Sequence, residues 1–405
     1  MIEMNRAIDH QPTSKPFNKA WMVLILGLLT AFGPLSMDMY LPALPTVTED
    51  FQTSASFGQL SITACLIGLA MGQLIFGPLS DIKGRKRPLL VTLTIYVVAS
   101  LLCAYSANIW IFIGLRFVQG FSAAAGIVIA RASSRDMYTG KDLTKFIALL
   151  ALVNGAAPIL APLFGGAVLN WLSWRAVFVI LFAIGLLIFF AVTFTLPETL
   201  PKANRRQGGM LETVQTFHVL LKDRVFMGIA LAQAFVTMSM FAYISGSPFV
   251  LQNLYGFTPQ QFSIMFAING VGIILAAQIT GRLADKIEEA RLLQWGVLCS
   301  FIGSLLLILS VLFSLSLWIL LFALFLIVSS VGIVNTTSFS LGMQRQGEVA
   351  GSASAFLGIL PFGGGALVSP LVGIAGDQTA VPMAVTIFIC SLLAFMIYYV
   401  FVKRS

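Results

Sequence analysis

Two ionisable side chains of this sequence lie well inside long apolar runs. Asp38, in SMDMYLPALP, is the one charged residue between Lys19 and Glu49, and Arg116, in LRFVQGFSAAAG, is the one between Arg87 and Arg131. A carboxylate placed in hydrocarbon costs on the order of 2.5–3.5 kcal/mol on insertion scales, so such acids usually face a cavity or a partner. A conformational change that alters the carboxyl's access to water, or its distance from a guanidinium, moves it between protonated and ionised forms. The chemistry on offer is reversible proton binding. If the apolar runs end at Leu44 and begin at Ile109, Asp38 and Arg116 both lie roughly 10 Å from the same membrane face, at about 1.5 Å per helical residue. That depth match allows an ion pair, which could be a proton switch or a purely structural contact. Pro34 and Pro42 flank the acid and kink its helix.

The elements that must position these residues follow from composition. The chain has 405 residues, 58% of them hydrophobic and only 10% charged, with a mean hydropathy of +0.93. A soluble domain carries about a quarter charged residues. Apolar runs of about 20 residues, enough to cross roughly 30 Å of hydrocarbon as a helix, recur throughout. Twelve spans are expected, at 20–44, 57–79, 88–106, 109–131, 144–169, 174–196, 225–252, 259–280, 290–312, 317–340, 351–375 and 380–402. The first is expected to be a retained anchor rather than a cleaved signal, because the residues before it are polar. All but two of the 24 Lys and Arg residues fall in segments that share a side with the N-terminus, Arg116 and Arg175 being the exceptions. The positive-inside rule then places both termini in the cytoplasm. It also accounts for the net charge of +8 without a nucleic-acid partner.

Cys65, Cys103, Cys299 and Cys390 are scattered within spans, and His10 and His218 lie in a tail and a loop, so neither a disulfide nor a metal site is expected. The absence of GxxxxGK[ST], HExxH and GxSxG argues against a nucleotide-driven pump or a membrane hydrolase. No cofactor is expected, and the chain does not read as an enzyme. The long polar stretch 196–224 divides the spans six and six. FGPLSDIKGRKRPLL after span 2 echoes TGRLADKIEEARLL after span 8, and Pro162 in span 5 matches Pro370 in span 11. The expected organisation is an N-terminal bundle over 1–196, a linker over 197–224 and a C-terminal bundle over 225–405. Parallel repeats of this kind hold a substrate between the halves near the midplane.

Several motifs resemble a known family. GPLSDIKGRKRPLL is similar to the loop between spans 2 and 3 of the major facilitator superfamily. LRFVQGFSAAAG, 115–126, resembles its span-4 motif, and APILAPLFGG, 157–166, resembles the span-5 motif of its antiporters, with Ala161 where glycine is usual. SMDMYLPALP and RDMY, 135–138, are similar to Bcr/CflA-type drug:proton antiporters, the bicyclomycin and chloramphenicol exporters. The resemblance implies an all-α membrane protein of twelve helices in two pseudo-symmetric six-helix bundles. It also implies a monomer in the bacterial cytoplasmic membrane that exchanges small-molecule drugs for protons.

Each motif also has a physical reading. Gly77 and Gly84 permit a tight turn, Asp81 can cap a neighbouring helix, and Arg85 can reach Asp136. By resemblance, Asp81, Arg85 and Asp136 form a cytoplasmic latch favouring an outward-facing state. Lys83, Lys86 and Arg87 need only fix topology. In span 5, Gly155, Pro158, Pro162, Gly165 and Gly166 suit a bent helix that packs closely against the opposite half. Candidate substrate contacts are Met37, Tyr40, Gln119, Asn154, Met238, Tyr243 and Asn269, with Gln233, Asn335, Met39 and Met240 also central. Asp38 and Arg116 are the candidate proton-coupling residues, and with no membrane acid in the second half, proton handling is expected in the first alone. Superfamily membership alone fits a proton-coupled importer of a sugar or metabolite equally well. A receptor or scaffold would leave the buried Asp and Arg unexplained.

Overall fold

The computed structural model describes residues 19–205, 220–345, 350–376 and 378–403. Among them are twelve helices long and apolar enough to cross a membrane: Ala20–Asp50, Ala55–Lys83, Lys86–Ala104, Ile109–Met137, Lys145–Leu169, Trp174–Thr195, Arg224–Leu254, Pro259–Leu283, Glu289–Leu312, Leu317–Gln344, Phe356–Gly373 and Val381–Val402. These are spans 1 to 12. His10, His218, the middle of the linker and the chain ends lie outside the described residues.

Spans 1 to 6 form one bundle and spans 7 to 12 another, and the two share a packing scheme. Span 2 packs on 4, 3 on 4 and 6, and 1 on 4 and 5; span 8 packs on 10, 9 on 10 and 12, and 7 on 10 and 11. Between the halves, span 2 meets span 11 and span 5 meets span 8, which a twofold axis between the bundles would exchange. Helices in hydrocarbon gain nothing from hiding apolar surface from lipid, so close contact rests on small residues. Gly68 lies against the Phe117 carbonyl, Gly72 against that of Phe121 and Gly120 against that of Cys65, which brings spans 2 and 4 backbone to backbone.

Span 1 departs from the expected single helix. Its first helix, Lys19–Asp38, ends at the acid itself; a 3-10 turn, Leu41–Ala43, and a short helix, Leu44–Asp50, complete the crossing. Proline causes the break. The Asp38 carbonyl would accept from the residue-42 amide, and Pro42 has none. Pro45 repeats the interruption at the start of the short helix. Span 5, in contrast, stays helical from Gly140 to Leu169 through Pro158 and Pro162.

One end of the molecule carries Lys83, Arg85, Lys86 and most other basic residues; we call it the basic face. At the opposite face two hydrogen bonds join the halves. Ser56 Oγ of span 2 donates to the Gly373 carbonyl at 2.7 Å, and Gln252 Nε2 of span 7 donates to the Pro42 carbonyl at 3.1 Å. Asp50 at this face also binds Arg175 and accepts from Trp174 Nε1 at 3.0 Å.

Candidate functional site

The break in span 1 puts Asp38, Met39 and Tyr40 where both bundles meet. Tyr40 is fully buried, its hydroxyl bonded to Ser61 Oγ of span 2. The Arg116 guanidinium lies over the Tyr40 ring, 4.5 Å from its centroid, with the Phe178 ring 5.6 Å away on another side. Its Nη1 donates to Gln119 Oε1, one turn on along span 4, and Gln119 Nε2 donates to Ser100 Oγ of span 3 at 2.8 Å. Tyr40, Arg116 and Gln119, all candidates from the sequence, thus form one network; Ser61 and Ser100, which complete it, carry no signal that distinguishes them from other membrane serines.

The ion pair that matched depths would allow is not formed. Arg116 has no exposed surface, and its Nε and Nη2 make no hydrogen bond, nor does Oδ1 of Asp38. The reason is the length of span 1, which continues to Asp50 instead of ending near Leu44. Asp38 is therefore deeper than a single helix ending at Leu44 would put it, and Arg116 sits at the level of Tyr40. The cation interacts with π faces and an amide, and the acid, only 4% exposed, is alone.

In the second half, the Tyr243 hydroxyl accepts from Asn269 Nδ2 at 2.8 Å, and its ring stacks on Phe266 with centroids 5.6 Å apart. Met37, Met238 and Tyr243 belong to one apolar core that spans both halves. Met238 packs against Gly364 of span 11. Gln233 is buried with its Oε1 unpaired, and Thr237 reaches Asn335 at 3.4 Å. Asn154 is half-buried on span 5, and the structure does not join it to this group. Among the described residues, no group of His, Cys, Asp and Glu could hold a metal ion.

At the basic face, Arg85 binds Asp81 and Asp136, the latter at 2.8 Å, and donates to Ser80 Oγ at 2.8 Å. Burial works against its charge, but the hydrogen bonds to Asp136 and Asp81 prevail and hold its proton more tightly than usual. Two expectations need correction. Gly77 lies within the span-2 helix, facing Val128, and only Gly84, at φ +88°, makes the turn. Asp81 turns to Arg85 instead of capping a helix; Glu198, just after span 6, accepts from the Arg85 amide at 2.7 Å and the Lys86 amide at 3.2 Å. These are the first amides of the span-3 helix, and a carboxylate there satisfies orphan donors at the positive end of the helix dipole. Sequence reading passed over Glu198 because its partners are more than a hundred residues away. In span 5, Gly165 lies against the Met39 carbonyl and Gly166 against Ser263 of span 8, so both glycines line junctions with the broken segment and the other half.

Two six-helix bundles related by a pseudo-twofold, with unpaired ionisable groups buried at their junction, define a multi-pass membrane transporter. The chain belongs to the Major Facilitator Superfamily, whose family model matches residues 26–370. It is 43% identical, over 98% of both chains, to the uncharacterised MFS-type transporter YdgK of Bacillus subtilis. It is 30% identical to the bicyclomycin resistance protein homologue of Haemophilus influenzae, over 95% of this chain and 96% of that one. Among solved structures, a D-xylose-proton symporter superposes with a TM-score of 0.77 over 95% of this chain and 98% of its own, at 15% identity, a likeness of fold alone.

Proposed function

We propose that this protein is a proton-coupled antiporter that exports small hydrophobic drugs, amphenicol- or bicyclomycin-like or of wider range, from the bacterial cytoplasm by alternating access. The observation that carries the reading is Asp38: a carboxyl buried at the junction of the halves, with Oδ1 unpaired, in a helix broken at that residue. The relative named for bicyclomycin resistance supports export of such compounds. The basic face is then cytoplasmic, with both termini on that side, and the bundles 1–196 and 225–405 rock about the linker 197–224 as a monomer.

In this scheme Asp38 takes a proton from the outside when the opposite face opens. Drug and proton compete for the junction, and release of the proton to the cytoplasm returns the carboxylate. Arg116 supplies fixed positive charge nearby, so the ionised acid is favoured when the two approach. Tyr40, Gln119, Met37, Asn154, Met238, Tyr243 and Asn269 contact the drug, the methionines by adaptable apolar packing. Asp81, Arg85 and Asp136 with Gly77 and Gly84 steady the basic face, while Pro158, Pro162, Gly165 and Gly166 give span 5 the close fit on which the halves rock.

The test uses inverted membrane vesicles carrying an acid-inside gradient and a panel of amphenicol, bicyclomycin-like and cationic dye compounds. Drug addition should release protons, and Asp38→Asn should abolish that release at unchanged expression. Release that survives the substitution would remove Asp38 from the coupling scheme.

A further inference from the structure

One stripe of span 1 ties it to its own bundle. Phe32, Ser36 and Tyr40 recur at every fourth position, and all three are buried. Phe32 stacks on the Tyr96 ring of span 3, with centroids 4.5 Å apart, and Ser36 Oγ shares a 2.8 Å hydrogen bond with the Tyr96 hydroxyl. A Cβ on Gly185 of span 6 would meet the same ring at 3.0 Å, so the ring is packed against two helices and its hydroxyl is fixed in place. Tyr40 lies under the Arg116 guanidinium and is bonded to Ser61. Ser100, one turn along span 3 from Tyr96, accepts from Gln119, which in turn holds Arg116. Asp38 is two residues from Ser36 and two from Tyr40. At roughly 100° per residue it stands near the far side of the helix from Ser36. Gly27, three turns back on that far side, lies against Val153 of span 5, and the Met39 carbonyl lies against Gly165 of span 5. Span 5 is a helix that meets the other half. The acid's position is thus on the junction side of span 1, and its Oδ1 makes no hydrogen bond, while the residues flanking it are fastened to the helices that hold Arg116.

We propose that Tyr96 is a positioning residue of the proton site: through its bond to Ser36 it fixes the rotation of span 1, so that Asp38 is held toward the junction and away from the Arg116 guanidinium. The inference rests on Asp38 as the proton carrier. A carboxylate free to turn toward a buried guanidinium would pair with it and resist protonation; the Ser36–Tyr96 bond keeps the two apart. The titratable and charged groups on the elements around Asp38 are Tyr40 of span 1, Cys65 of span 2, Tyr96 and Cys103 of span 3, Arg116 of span 4 and Tyr243 of span 7, and spans 5, 6, 8 and 11 carry none at this depth. Arg116 is the one cation among them, so it is the group from which the acid must be held.

The test reads Asp38 without any drug. A lipophilic carbodiimide reacts with a protonated carboxyl and leaves the ionised form untouched, so its labelling rate at Asp38, followed by mass spectrometry on the purified full-length protein across pH, reports occupancy by the proton. Tyr96→Phe keeps the ring between its neighbours and removes the hydroxyl; Ser36→Ala removes the other partner of the same bond. On the alkaline side of the wild-type midpoint, each variant should label roughly fivefold more slowly, the size of effect that one hydrogen bond supports, and the double variant should be no slower than either single one. In an Arg116→Met background, Tyr96→Phe should leave the rate unchanged, because the cation that the acid would turn to is gone. A lower Tm with the wild-type labelling profile in both single variants would make the bond merely structural and overturn the proposal, leaving the antiport reading standing. So would slower labelling that persists in the Arg116→Met background. Absence of Asp38 labelling at every pH in the wild-type protein would overturn both.

Discussion

Arg116 is the residue whose environment most constrains its role. A fully buried guanidinium with no carboxylate partner, held by Gln119 and the rings of Tyr40 and Phe178, contributes little to folding, because its desolvation is offset only in part. Replacing such a charge by an apolar residue of similar volume is often neutral or stabilising. Arg116→Met should therefore hold the Tm in detergent at or above the wild-type value while abolishing drug-driven proton release. A Tm lower by many degrees would make the residue structural. Arg116→Lys keeps the charge but loses the planar stack and the fork of donors, so it should retain only part of the activity. At the basic face, Glu198→Gln keeps its size and removes the charge that caps span 3; we expect a loss of about 1 kcal/mol, seen as a lower Tm.

At the scale of elements, the junctions between spans depend on particular glycines. A Cβ on Gly120 would meet the Cys65 backbone carbonyl, whereas one on Gly114, in the same helix, would meet nothing within 4 Å. The two Gly→Ala substitutions gain the same helix propensity and differ in packing alone. Gly120→Ala should cost about 1–3 kcal/mol by overpacking, and Gly114→Ala should be neutral or stabilising; thermal unfolding of the two variants side by side checks this. Gly165→Ala would push against the Met39 carbonyl and so displace the break that carries Asp38. That variant should fold and insert but lose most of its transport in the vesicle assay.

At the scale of the whole molecule, the halves are joined at the opposite face by Ser56 with Gly373 and Gln252 with Pro42, while Arg85 and its carboxylates all belong to the first half or the segment just after it. The residues expected to form the latch are thus paired among themselves, while the hydrogen bonds between the halves lie at the opposite face. On the proposed scheme, coupling through one carboxyl would also set the electrical behaviour. One proton entering per neutral drug moves net charge, and the membrane potential then contributes roughly 2.3 kcal/mol per 100 mV. Export of a neutral amphenicol should respond to potential at a fixed pH gradient, and export of a monovalent cationic dye should not. Vesicles clamped with potassium and valinomycin make the comparison.

The sequence by itself determined the solvent, the number of spans and their duplication, since hydropathy over about 20 residues is a local property and the repeat is visible as matched prolines and glycines. It also singled out Asp38 and Arg116, because a charge well inside an apolar run is legible in one dimension. Tertiary structure alone decided what those charges face. Arg116 settles on Tyr40 and Gln119 and Asp38 stays unpaired in a span that runs on past Leu44 to Asp50, which residue counting to Leu44 misses. The Glu198 cap and the glycine-to-carbonyl contacts of Gly68, Gly120 and Gly165 were likewise hidden, for each joins residues tens to more than a hundred positions apart. So was the hydrogen bond from Gln252 to the Pro42 carbonyl, which depends on how two bundles dock, and docking is fixed by shape and by hydrogen bonds between helices that no periodicity records.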